Sequence, residues 1–205
     1  MIAGRADAQA CLGLGSLTTN PTNLTVSANF TEGAKGLDGR FGFGSSIAFG
    51  GISAGFADYD HSPGTAKTVA IDGGLSYVAG AGRNVSVCPV GTLGYVRNPD
   101  VSFAGRSYGS STTFGPAGVA LGARVGTTSS LALIPFAALQ AVYSRFSLDD
   151  AVGGDDTETY GELSGGLSFV LSPTVLVRPY VVIPLGLEGA DPTYGIGLSF
   201  GFGRR

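Results

Sequence analysis

The sequence predicts an all-β chain, an antiparallel up-and-down transmembrane β-barrel of about ten strands, with eight as the alternative. Three observations carry this. Large apolar residues alternate with small ones in stretch after stretch. The clearest case sets Tyr194, Ile196, Leu198, Phe200 and Phe202 against Gly195, Gly197, Ser199 and Gly201, the period of a strand with two unlike faces. Glycine fills 35 of 205 positions and charged residues make up 13%, about half the ~25% of an ordinary soluble domain. No window approaches the ~18 consecutive apolar residues of a membrane helix, so any crossing is made by strands.

The elements follow in order. Residues 1–21 hold no clean period, and Gly13, Gly15, Asn20 and Pro21 mark them as irregular. Ala8-Gln9-Ala10 resembles the tail of a cleavage site, so this segment reads as the remnant of an export signal plus a plug at the turn end. The barrel domain is expected over 22–203. Its first strand sets Leu24, Val26, Ala28 and Phe30 against Thr25, Ser27 and Asn29. After a glycine-rich link, Phe41, Phe43, Ile47 and Phe49 form the apolar face of the second, and Gly50-Gly51 reads as a tight turn. Ile52, Ala54 and Phe56 carry the third strand. Val69, Ile71, Leu75 and Tyr77 carry the fourth, Val85, Val87, Leu93 and Tyr95 the fifth, and Val119, Leu121, Ala123 and Val125 the sixth.

The seventh, from Leu131 to about Phe146, is apolar on both faces near its start; Leu139 and Tyr143 are assigned outward, Gln140 and Ser144 inward. Leu163, Leu167, Phe169 and Leu171 mark the eighth. The ninth, from Val175 to Leu187, contains Pro179 and Pro184, which lack the ladder's donor and make it locally irregular. The tenth is the stretch described first.

Connections after the even strands read as short turns, and those after the odd strands as mostly longer and polar. That is the pattern of a membrane barrel. Aromatic residues collect at both ends of the apolar face: Phe30, Phe41, Phe56, Tyr95, Tyr143 and Tyr194 at the loop end, Phe49, Tyr77, Phe169 and Phe202 at the turn end. Girdles of this kind mark membrane interfaces. A soluble barrel would carry Lys and Glu on one face. Here the second face is Gly, Ser, Thr and Ala, which suits the crowded interior of a narrow closed barrel.

With these residues in view, the chain resembles the small outer-membrane β-barrels of Gram-negative bacteria, the opacity-protein and OmpA/OmpX type. The resemblance covers about residues 22–203 and rests on the alternating strands, the loop pattern and the aromatic last strand. It implies a bacterial outer membrane, contact with membrane lipid and lipopolysaccharide, and insertion by the barrel-assembly machinery. The assembly signal commonly ends on the terminal Phe; here Gly203-Arg204-Arg205 follow Phe202.

Several constellations have a chemical reading. Arg40, Asp72, Arg124, Glu162 and Arg178 fall on the lumen face. They read as a salt-bridged plug, since buried charges need partners, or as a selectivity filter. Arg40 and Glu162 are placed near the loop end, where they can pair; Arg124 and Arg178 near the turn end. Cys88 shares its face with Ser86 and points inward, and a disulfide to Cys11 is expected in an oxidising periplasm.

Asp58, Asp60 and His61 lie on one loop and are candidates for a rim hydrolase, though solvated loop residues are the preferred reading. Asp149, Asp150, Asp155, Asp156 and Glu158 form an acidic loop that can hold Ca²⁺ or bridge to lipopolysaccharide through divalent ions. Their spacing fits no calcium loop, and solvation is again preferred. Gly51 to Gly55 matches a nucleophile-elbow pattern, but within a strand and with no helix after it. The triplets starting at Asn23 and Asn84 are chance glycosylation matches.

The net charge of -3 gives no sign of a nucleic-acid partner. No cofactor is expected. The function that follows is a structural or narrow-pore outer-membrane barrel without catalysis. The alternatives are an outer-leaflet lipid or peptide hydrolase, and an adhesin or assembly subunit acting through loops 97–112 and 147–157.

Overall fold

The computed structural model describes residue 11 and residues 22–45, 47–60, 62–79, 85–103, 106–128, 131–148 and 155–202. Within these the chain is a closed antiparallel barrel of ten staves. The strands are β1 (Thr22–Thr31), β2 (Ala34–Gly44), β3 (Ala48–Tyr59), β4 (Ser62–Leu75), β5 (Tyr77–Ala79), β6 (Val85–Arg97), β7 (Val101–Phe103), β8 (Arg106–Tyr108), β9 (Ser110–Ala123), β10 (Val125–Thr128), β11 (Leu131–Leu148), β12 (Asp156–Ser172), β13 (Val175–Leu185) and β14 (Thr193–Phe202).

Closure comes from β1, which pairs with β2 on one side and β14 on the other. Two staves are interrupted: β5 carries on from β4 past Ser76, and β10 from β9 past Arg124. β7 and β8 form a separate hairpin between β6 and β9. Membrane strands need about 9–11 residues; β11 and β12, with 18 and 17, project beyond that.

The alternation predicted for each strand is seen in the exposures. Leu24, Ile71, Leu93, Leu139, Tyr143 and Ile196 stand on the outside, while Asn23, Thr25, Ser27, Ser86, Ser168 and Ser199 are buried inside. Girdle aromatics Phe30, Phe56, Tyr95, Tyr143 and Tyr194 are exposed, as are Tyr77, Phe169 and Phe202. β13 runs unbroken through its prolines, but its ladder to β12 has no partner pair at Pro179, the irregularity expected of a missing donor.

Five expectations change. The glycine-rich link before Phe41 is itself strand: β2 starts at Ala34, two residues after β1, and Gly33 in the turn has φ +71°, a conformation glycine adopts freely. Phe41 therefore lies opposite Leu24, toward the turn end. Gly50 and Gly51 are not a turn. They lie inside β3, paired to β2 and β4, and the reversal falls earlier, between the end of β2 at Gly44 and the start of β3 at Ala48. With that reversal the face parity resets, and Phe49 points into the lumen, 7% exposed, instead of out to the girdle. The long-short alternation of connections also fails at two places, since only two residues separate β1 from β2 and β3 from β4.

Filling a narrow lumen requires a hole for every knob. Several large inward side chains lie over a neighbouring glycine. Arg40 covers Gly51, where a Cβ would come within 2.5 Å of the guanidinium. Phe49 covers Gly74 with the same 2.5 Å clearance. Asp38 covers Gly55, Phe114 covers Gly94, Phe136 covers Gly166 and Tyr180 covers Gly195. Gly195→Val is therefore expected to destabilise the barrel by about 1–3 kcal/mol through overpacking. Gly195→Val with Tyr180→Ala should recover part of that loss, and Gly91→Val, with a Cβ 3.8 Å from its nearest neighbour, should lose little. The readout is loss of the folded gel band, unboiled, across a urea series.

Candidate functional site: a filled and bridged lumen

The lumen is held by three groups of side chains. The first is an ion pair. Arg40 on β2 reaches across β3 to Asp72 on β4, Nε donating to Oδ1 at 2.8 Å and Nη2 to Oδ2 at 2.5 Å. The intervening residue is Gly51, the register partner of Asp72, and its bare Cα is what lets the guanidinium pass. Side-chain exposures of 16% and 18% put the pair well inside. Bidentate Arg–carboxylate contacts are the strong, geometrically specific kind.

The second group is polar and aromatic. Tyr180 donates to Asn29, which in turn donates through its amide to Asp38. Arg178 stands beside the rings of Phe136 and Tyr180, 5.6 and 5.2 Å from their centres. An arginine over aromatic faces keeps favourable electrostatics where water is scarce. Thr25 and Ser199 bond at 2.6 Å across the β1–β14 seam.

The third is the disulfide between Cys11 and Cys88, with Cα atoms 6.1 Å apart. Both cysteines are buried, and they pack on Phe49 and Ala120, with Val90 and Ala138 against them. Between this floor and Glu162 lies a cavity of about 310 Å³, bordered also by Arg40, Asp72, Arg178 and Tyr180.

The predicted lumen charges separate into distinct places. Arg40 pairs with Asp72, not with Glu162. The cause is the true start of β2, which moves Arg40 away from the loop end. Glu162 is half-buried with Gln140 and Pro184 as its cross-strand partners. Arg124 sits at the break between β9 and β10. Asp38 and Tyr180 were not singled out from the sequence. Asp38 was legible: Leu37, Gly39, Phe41 and Phe43 alternate with Asp38, Arg40 and Gly42, and extending the period upstream finds it.

Two of the three rim candidates are described. Asp58 accepts a hydrogen bond from Thr65 at 2.7 Å on the outward face of β3 and β4. The Asp60 amide donates to the Gly33 carbonyl at 2.9 Å. His61 lies outside the described residues. Ser53 of the elbow-like run stands in mid-strand, between Arg40 and Ala70.

In the acidic loop, Asp149 and Asp150 lie outside the described residues. Asp155 is engaged by Arg145, and hydrogen bonds from Arg145 and Ser147 hold its carboxyl below the usual carboxylate range. Asp156 and Glu158 continue into β12 opposite Phe146 and Ser144. Among the described residues, no cluster of metal-ligating side chains forms.

No protein-family model matches the chain, and no curated protein does. Solved structures do. The translocator domain of the autotransporter NalP from Neisseria meningitidis aligns with a TM-score of 0.52 at 13% identity, over 88% of this chain and 86% of that one. The fold is that of the outer-membrane β-barrels. Two further barrels align at lower scores. The N-terminal β-barrel domain of Pseudomonas aeruginosa OprF has a TM-score of 0.43 at 13% identity, over 90% and 98% of the two chains. Ail, the attachment invasion locus protein of Yersinia pestis, has 0.40 at 11%, over 89% and 99%. The chain is a closed barrel of that fold whose described inner face carries the large side chains Arg40, Phe49, Arg178 and Tyr180.

Breaking the bidentate pair isolates a buried cation. Asp72→Asn is expected to destabilise the barrel by about 3–5 kcal/mol, whereas replacing both partners by apolar residues, Arg40→Met with Asp72→Leu, should recover most of this. Glu162→Gln, which breaks no ion pair of the described residues, should shift the same urea midpoint far less.

Proposed function

We propose that this chain is an integral protein of the bacterial outer membrane with a structural role, its lumen sealed from within, and no catalytic function. The observation that carries the reading is the disulfide-held Cys11, 1% exposed, inside the barrel. A residue of the segment before β1 thereby closes the turn end, covalently fixed and packed on Phe49. The Arg40–Asp72 pair and the Arg178 stack obstruct the middle. Ten staves leave an interior between the filled eight-stranded case and an open channel, and here glycine holes let large side chains occupy it.

Placement in the outer membrane is supported by the fold, by the apolar outer face with its aromatic girdles, and by a disulfide, which persists in oxidising compartments such as the periplasm. The expected partners are membrane lipid, lipopolysaccharide and, during insertion, the barrel-assembly machinery. A narrow pore is the second reading, favoured by the charged cavity of about 310 Å³.

Planar-bilayer recording of the refolded, oxidised protein separates the two. Silence in the wild type, with intermittent openings in Cys11→Ser, is the expected result. A steady discrete conductance in the wild type would replace the sealed barrel by the narrow pore.

A further inference from the structure

Two features of the outer surface fall on the same strands. One is an apolar groove of about 820 Å³ running across β1 to β4 and β6. Its floor is Gly39 and Ala54, which face each other across β2 and β3, and its wall includes Phe41, Ile52, Ile71 and Leu93. The groove exists because two small residues stand side by side in a face otherwise made of large ones.

The other feature is the next outward row toward the loop end. Leu37, Phe56, Lys67 and Arg97 are successive register partners across β2, β3, β4 and β6. Lys67 and Arg97 are directly opposite each other, just above the groove residues Val69 and Tyr95. Like charges directly opposite on one face of a sheet repel, and they do so more strongly beside hydrocarbon than in water. Two carboxylates lie close by. Asp58 opposes Lys35 and accepts from Thr65, and Asp100 lies 3.6 Å from Arg97. No described acidic side chain pairs with Lys67.

We propose that this ridge and groove bind lipopolysaccharide of the leaflet on the loop side, a phosphate resting on Lys67 and Arg97 and an acyl chain lying over Gly39 and Ala54. The inference rests on the outer-membrane reading given above. Its chemistry is that of an acylated phosphomonoester. Such a group carries about -1.5 to -2 charges at neutral pH, more than the single charge of a phosphodiester lipid, and suits two cations held side by side. The row of cations borders the apolar groove in the order that headgroup and chain require.

Native mass spectrometry of the refolded barrel in detergent tests this, with diphosphoryl lipid A and phosphatidylglycerol as probes. The expected result is a lipid A complex that persists at concentrations where phosphatidylglycerol does not. The double variant Lys67→Gln with Arg97→Gln should weaken lipid A binding about tenfold or more. Ala54→Leu, which fills the floor of the groove, should also weaken it. The assignment is overturned if either variant binds lipid A as the wild type does, or if phosphatidylglycerol binds equally well. Unboiled gel mobility, read on every variant, keeps the two questions apart: a protein with no detergent-dependent folded band would sink the membrane reading itself.

Discussion

A backbone amide in hydrocarbon has no water to bond to, and each one left unpaired costs several kcal/mol. Closing the sheet on itself answers that requirement, and the β1–β14 seam is where this chain does so. Everything else in the molecule is conditioned by closure. The outer face must be apolar, so large side chains stand on it. The inner face bends around a lumen with little room, so it is built of Gly, Ser, Thr and Ala. A charge-poor, glycine-rich composition is the sequence record of both demands.

Within that narrow space the glycines act in pairs with their neighbours. An inward residue as large as Arg40, Phe49 or Tyr180 is admitted only where the adjacent strand presents no side chain. The consequence is positional. The glycine at 51 is what lets a charge on β2 find its partner on β4, two strands away. A buried ion pair is weak evidence for stability in itself, since desolvation offsets the attraction. Its clearer effect here is to fill the lumen's middle with a group whose geometry is fixed from both sides.

The disulfide works on the same problem from the turn end. Cys88 faces inward because its strand alternates, and its neighbours Ala120 and Ala138 are small enough to leave room beside it. Cys11 and Phe49 take up that room. Tying a residue of the preceding segment to the wall closes a loop of chain, and such a link stabilises chiefly by limiting the unfolded ensemble. Here it also fixes Cys11 against Phe49 and Ala120 on the inner wall.

The face alternation, the all-β class, the inward Cys88 and the outward Leu139 and Tyr143 were all determined by the sequence alone. Strand period is a local property: each residue's face follows from its neighbours two positions away. Arg40's choice of Asp72, the inward turn of Phe49 and the groove at Gly39 and Ala54 were decided only by the tertiary structure. These depend on where each turn falls and on which residues closure sets opposite one another. A one-residue slip in register moves a whole strand's side chains to the other face. Reading the reversal at Gly50-Gly51, instead of between Gly44 and Ala48, was enough to misplace Phe49. The ring sums such choices over ten staves, and no single stretch of the chain carries that sum.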